Sequence, residues 1–244
     1  MLSSSSPRHM ICFKDWNGDM VMDVINSALN LKCCLRDTHG KRLNILDNCK
    51  IMILQEVNEP VLNMAVSKAA SLLGADAVNI VDKLMWENDY NGRVFSYMAD
   101  AIFVATSTHT CLQRFAQQSS VPVMCMTSRT HASIQAMATF MTIIEEYGTL
   151  RRQNITYFGS PHPVLNTYLL LCPMLGANIK FKCCCDDINK HAGPQWIFLH
   201  TCPRGKEVDD HLFFHSNART FPAFENFQYI CTALMASAIK NHFF

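Results

Sequence analysis

Long apolar runs are missing from this sequence: no stretch of its 244 residues reaches membrane-spanning length, and no secretory hydrophobic segment follows Met1. Charge is sparse too. Lys, Arg, Asp and Glu together make up 17%, and 21 basic residues nearly cancel 20 acidic ones, leaving a formal net charge of +1. So small an excess argues against broad electrostatic capture of nucleic acid or of an anionic membrane. The basic spots that exist, Arg151-Arg152 and the 36–42 stretch RDTHGKR, read as solvated loops. No CxxC pair, internal repeat or low-complexity linker occurs. The opening MLSSSSPRH has the serines of a transit peptide but few arginines and no amphipathic stripe. A cytoplasmic chain is therefore expected, with the nucleus second and the mitochondrion third.

What is present suits a globular core. Hydrophobic residues reach 49%, enough for one large or two small domains, and fourteen methionines make that core soft and adaptable. Twelve cysteines without a signal peptide read as reduced, mostly buried thiols. The sharper alternative is a metal site at Cys183-Cys184-Cys185 with His191 nearby. Adjacent residues of a strand point to opposite faces, however, so no metal and no cofactor is expected.

The organising stretch is 131–147, HASIQAMATFMTIIEEY. Ile134, Met137, Ala138, Met141, Ile144 and Tyr147 recur at helical spacing, with Thr130 or Ser133 as cap, Gly148 past the end and Glu145-Glu146 on the wetter side. Before it, the pattern predicts helices over 12–36, 64–73 and 110–117, a helical turn over 94–99, and strands over 49–54, 77–81, 101–105 and 121–126. After it come strands over 154–158, 179–184 and 196–200, a helix over 163–175, and a closing helix over 222–239 with Pro222 in its first turn. Alternating buried strands and helices imply parallel sheets with crossover connections. Chemistry is then to be sought in the loops after Leu54, Ala105, Met126, Phe158 and His200, at the carboxyl ends of the strands.

Two long segments carry a family resemblance that covers nearly the whole chain. VFSYMADAIFVATSTHTCLQRFAQQSSVPVMC, followed by SIQAMATFMTIIEEYGTL, resembles the centre of ornithine carbamoyltransferases. The tail, FLHTCPRGKEVDDHLFFHSNARTFPAFENFQYICTALMASAI, resembles that family's tail. LLGADAVNIVD falls where the family's Leu-Leu-Gly segment ends the helix after its phosphate loop. The resemblance implies an α/β chain of two parallel-sheet domains joined by interdomain helices, the second domain shortened. Residues 1–131 would form a carbamoyl-phosphate-type domain completed by the closing helix within 222–244. Residues 132–147 would be an interdomain helix, and 148–221 a shortened amino-acid-binding-type domain. Catalytic members form trimers with shared active sites.

The family's site motifs are carried over position by position. Its Ser-Thr-Arg-Thr-Arg phosphate loop falls on Glu59, Pro60, Val61, Leu62 and Asn63, which supply neither hydroxyl nor guanidinium. Two phosphate charges about 5 Å from one carboxylate repel by roughly 7 kcal/mol at an effective dielectric near 20. As structure, Glu59 and Pro60 suit the first turn of a helix. The family's carbonyl-polarising arginine falls on Ala105. The His-Pro-x-Gln motif falls on Ala132, Ser133 and Gln135, with His131 one residue away and read as an exposed or capping side chain. The Gly-Asp-Gly-Asn-Asn loop becomes Gly159-Ser160-Pro161-His162-Pro163, and the Ser-Met-Gly loop has no counterpart in the short run 186–195. In the His-Cys-Leu-Pro motif the cysteine falls on Thr201, with Cys202 next to it, while His200, Pro203 and Arg204 match.

Lost contacts at separate places lead to the expectation of a catalytically inactive scaffold. Its partners would be a protein of unknown identity, a second copy, or a catalytic relative. Met85, Trp86, Phe213, Phe214, Phe243 and Phe244 are its candidate contact residues. The alternatives are an enzyme of remodelled specificity built on His131, Gln135, His162, His200, Arg204 and Glu59, and a nucleic-acid or metal-binding module.

Overall fold

The computed structural model describes residues 9–37, 42–82, 88, 90–182 and 193–244. Its first half alternates as the apolar pattern requires. After a 3-10 turn at Phe13–Asp15 come α1 (Gly18–Asp37), β1 (Lys50–Gln55), α2 (Pro60–Leu73), β2 (Asp76–Val81) and α3 (Asn91–Ser96). There follow β3 (Ala101–Ala105), α4 (His109–Gln118), β4 (Val123–Thr127) and α5 (Ser133–Tyr147). The four strands form one parallel sheet in the order β2-β1-β3-β4. β3 is buried along its whole length and β1 from its second residue on, as their continuous apolar runs demand of strands covered on both faces. β2 lies at the edge and is mostly exposed. The other edge is covered: Met10 N–H donates to Val123 O at 2.9 Å and Cys125 N–H to Met10 O at 2.7 Å, so the amino-terminal segment blocks β4 from pairing elsewhere.

α5 is buried more completely than one stripe would require. Ala136, Phe140 and Ile143, off the expected face, are buried with Ile134, Met137 and Met141. It runs between the four-stranded sheet, α1, α8 (Thr220–Lys240) and the following elements, so little of it meets water. Gly148 ends it in the left-handed conformation at φ 73°, as expected, and its N–H donates to Ile144 O at 2.7 Å. The expected cap is corrected. Ala132 holds the cap position with no side-chain bond, because Thr130 and Ser133 lie on either side of it.

The second half is smaller. β5 (Asn154–Phe158), α6 (Pro163–Met174) and β6 (Asn178–Lys182) make one β-α-β unit with a two-stranded parallel sheet. α7 (Asp210–Phe213), which periodicity does not reveal, precedes α8. The strand expected over 196–200 is absent. Its backbone is spent on residues 217–219 instead: Phe198 N–H donates to Asn217 O at 2.9 Å, and Arg219 N–H to Phe198 O at 2.8 Å, leaving one isolated bridge. Other boundaries shift modestly. α2 starts four residues before the expected 64, at the proline, and α1 starts only after the Trp16–Asn17 break.

A buried polar junction ties α1, α5 and α8 together. Lys32, 4% exposed, places Nζ 2.8 Å from Glu145 Oε1 and 2.7 Å from Asn226 Oδ1. Asn226 Nδ2 donates in turn to Thr142 Oγ1 at 2.9 Å and Glu145 Oε2 at 2.7 Å. The "wet" side of α5 is thus half occupied by an ion pair. Of the expected contact residues, Phe214 and Phe243 are exposed, whereas Phe213 is buried among Phe214, Phe221 and His200. Met85, Trp86, the Cys183–Cys185 run and His191 lie outside the described residues.

Candidate functional site

The carboxyl ends of β1, β3 and β4 converge where α2, α4 and α5 begin. At β1, Gln55 Oε1 accepts from Glu59 N–H at 2.9 Å, and Gln55 Nε2 donates to Asn79 Oδ1 at 2.9 Å. Glu59 sits at the cap position of α2 without a capping bond, Pro60 occupies the first helical position as expected, and burial pushes the Glu59 carboxyl up. A second carboxylate braces the loop after β3. Glu56 accepts from Thr106 Oγ1 at 2.6 Å, Ser107 N–H at 2.9 Å and Ser107 Oγ at 2.7 Å. Ala105, just before it, is fully buried in β3.

Two imidazoles close this end. The His109 and His131 rings lie 5.1 Å apart, edge to face. His109 Nδ1 is 3.2 Å from Ser128 Oγ, which also accepts from His131 N–H at 3.0 Å and Thr130 N–H at 3.2 Å. His131 is 7% exposed, which corrects its reading as an exposed or capping residue. Burial, with His109 beside it, drops its pKa to about 4, so it is neutral near pH 7. His109 is lowered by burial as well.

Thr167, from the first turns of α6, reaches across to this loop. Its Oγ1 lies 3.4 Å from His131 Nδ1, accepts from Ala132 N–H at 3.1 Å and donates to Pro163 O at 3.2 Å. With its proton committed to Pro163, the hydroxyl accepts from His131 Nδ1–H and leaves Nε2 as the ring's acceptor. Pro163 opens α6, and His162 Nδ1 caps it by accepting from Val164 N–H at 3.2 Å. His162 is therefore a structural cap.

One turn along α5, Gln135 Nε2 donates to Thr201 O at 3.3 Å. That bond brings the start of α5 onto the 200–204 segment, beside a cavity of about 870 Å³. Gln135, His200, Thr201 and Pro203 all line it, facing an aromatic and aliphatic wall that includes Tyr157, Tyr168 and Phe198. Arg204 is turned aside: its Nη2 lies 2.6 Å from Asp210 Oδ1, and its guanidinium sits 4.7 Å over the Phe213 ring. Of the groups reasoned from sequence, the structure brings Gln135, His200, Thr201 and Pro203 to one cavity. It keeps Glu59 to Asn63, Ala105 and Ala132 at the strand ends and gives Arg204 to an ion pair. His109, Ser128, Thr167 and Glu56 escaped the motif count. Their signal was their place just after buried strands or at a helix start.

The known proteins this chain resembles fall into one group. Residues 8–145 match the family model described as aspartate/ornithine carbamoyltransferase, carbamoyl-P binding domain. An ornithine carbamoyltransferase of Prochlorococcus marinus is 25% identical over 175 residues, covering 69% of this chain and 54% of the relative. The chain thus spans about half the length of that relative. A mitochondrial ornithine carbamoyltransferase of Aquarana catesbeiana is 20% identical, with 96% of this chain and 87% of the relative covered. The solved ornithine carbamoyltransferase of Pyrococcus furiosus superposes with a TM-score of 0.88 at 18% identity, covering 97% of this chain and 98% of that one. These likenesses overturn the expectation of an inactive scaffold, since the matching proteins are carbamoyltransferases by name. That expectation rested on motif positions counted one by one, and the folded chain supplies polar groups to the cleft that such counting does not see.

Proposed function

Because the chain belongs to the aspartate/ornithine carbamoyltransferase family, we propose that it is an enzyme transferring a carbamoyl group to a primary amine. The reaction is assigned to the cleft that runs from His109 and His131 past Gln135 to the 200–204 segment. One observation carries the reading: Gln135 lies more than sixty residues before His200 and Pro203 in sequence yet lines a single cavity with them, and these are three of the four positions that match the family motifs. Gln135 binds the segment that holds the other two, so donor and acceptor can be held at adjoining ends of one cleft.

The donor's phosphate is held weakly in this reading. Glu59 stands where a guanidinium would help, and a neutral His131 offers no positive charge. Carbamoyl phosphate is accordingly expected to saturate only at or above about 1 mM, the upper end of the ordinary KM range. The test is formation of ureido product from carbamoyl phosphate and a panel of amino acids and amines. Gln135→Ala should cut the rate at least about tenfold, and Glu59→Gln should lower the KM for carbamoyl phosphate about tenfold by removing a like charge. Absence of product with every amine at millimolar donor would end this reading.

Assembly and location are also proposed. Val78 and Val81 of the edge strand β2, and Val61 and Met64 of α2, are exposed. A second copy or a relative packing there would bury them and cover the β2 edge, and light scattering would then report a species larger than the 27.6 kDa chain. Among the described residues no helix is long and apolar enough to cross a membrane, and Cys49, Cys125, Cys172 and Cys231 are buried thiols. The thiols favour a reducing compartment, the cytoplasm.

A further inference from the structure

Two extended stretches of chain bound the cavity beside Gln135. Every residue from 153 to 160 lines it, and so does every residue from 195 to 201. Successive side chains of a strand point to opposite faces, so an unbroken run along a wall means that the strand presents its edge there. The pairing of β5 agrees. In a parallel pair alternate residues address the same neighbour. Gln153 O accepts from Asn178 N–H at 2.8 Å and Gly159 N–H donates to Lys182 O at 3.0 Å, so the odd-numbered residues of β5 serve β6. Asn154, Thr156 and Phe158 therefore turn their N–H and C=O groups towards the cavity.

The facing stretch alternates in the same way. Phe198 bonds residues 217 and 219, and His200 N–H donates to Thr220 Oγ1 at 3.0 Å, which leaves Ile197 and Leu199 to address the cavity. Among the described residues no backbone group pairs with any of these five on the cavity side. Ladder groups shielded from water cost free energy while unpaired, and a small apolar ligand would leave them so. A main chain inserted between the two rows would meet both. Its length is set by α5. Gln135 Nε2 donates to Thr201 O at 3.3 Å and Tyr147 OH to Gln195 O at 3.4 Å, so the slot runs along α5 from one residue to the other, roughly 18 Å. An ordinary strand of five or six residues covers about that distance.

We propose that this slot takes an extended segment of another protein, inserted as a strand between β5 and residues 195–201. Its main chain completes one ladder with Asn154, Thr156 and Phe158 and a second with Ile197 and Leu199, which supplies affinity without regard to sequence. Selectivity comes from the walls. Ile143 of α5 and Phe224 and Phe227 of α8 line the cavity, so every second residue of the insert is apolar. Among the described lining residues the charged ones are Lys180 and Glu207, and Glu207 is already engaged by His200 Nε2 at 3.0 Å and Gly205 N–H at 2.8 Å. A central run without charge is therefore selected, since an ionic side chain there would be desolvated unpaired. The inference goes beyond carbamoyl transfer and does not depend on it.

The test uses the full chain and a labelled, end-blocked peptide of alternating valine and threonine, with a copy N-methylated at every second residue. Fluorescence anisotropy reads binding, and amide hydrogen exchange reads the walls. The expected result is saturable binding that N-methylation weakens at least about tenfold, with exchange at Asn154, Thr156, Phe158, Ile197 and Leu199 slowed by at least about as much. Thr156→Pro removes a donor on the slot side and none on the β6 side, so it should weaken the peptide about tenfold and leave the melting temperature unchanged. No binding at about 1 mM peptide would overturn the proposal. Equal affinity for the N-methylated copy, or exchange unchanged at the five amides, would overturn insertion and leave only an apolar surface. Slow exchange at all five without peptide would overturn it too, by showing the slot already filled: by a second copy if the protection rises with protein concentration, by the chain itself if not. Exchange and N-methylation are read on the unaltered chain, so these outcomes stand even if the proline variant fails to fold.

Discussion

His131 shows how far a residue's surroundings can move its chemistry from what its type suggests. As a histidine one place out of register it looked solvent-facing. In the fold it is packed against His109 and tied to Thr167, and its pKa is about 4. The unfolded chain binds a proton at this residue near pH 6.5, whereas the folded chain does so only near 4. Folding stability contributed by the neutral ring is therefore complete above pH 6.5 and is lost as pH falls from 6.5 towards 4. Thermal melts across that window should show a Tm falling with pH, and His131→Gln should flatten the fall. An unchanged slope would mean the ring titrates normally. For Glu207, His200 and Cys202 the residue types and neighbourhood are visible in sequence, but which side chain faces which needs coordinates, because two close side chains in a turn can face any way.

Elements were easier to read than residues. β1 and β3 announced themselves by unbroken apolar runs, and α5 by its spacing and its closing glycine. The segment 196–200 has the same apolar look as β1, yet its backbone pairs with the chain just before α8 and only one bridge results. Local pattern cannot tell which partner will claim a backbone. Nor could it reveal Lys32, a cation within α1 that is buried by α5 and α8 from the far end of the chain. Lys32→Ala would strand Glu145 and Asn226 at a three-helix junction. Denaturant unfolding should show a loss of about 3 kcal/mol. A loss under about 0.5 kcal/mol would mark the junction as no stronger than a surface ion pair.

At the scale of the molecule, the arrangement follows from two sheets of unequal size sharing α5. The four-stranded sheet presents its strand ends to the start of α5, and α6, the crossover helix of the two-stranded unit, delivers Thr167 to the same place. The family resemblance captured this architecture because scaffold motifs such as Leu-Leu-Gly and Met-Ala-Asp-Ala survive as turns and strand starts. It did not capture function, because an absent arginine says what a cleft lacks and not what else has come to line it. The most direct check follows isotope-labelled carbamoyl phosphate by carbon NMR, mixed with the full chain and a set of amines. A ureido-carbon signal that grows in proportion to protein, and grows at least about tenfold more slowly with Gln135→Ala, is the predicted result. Decay of the donor to its ordinary breakdown products, at a rate the protein does not change, would contradict it.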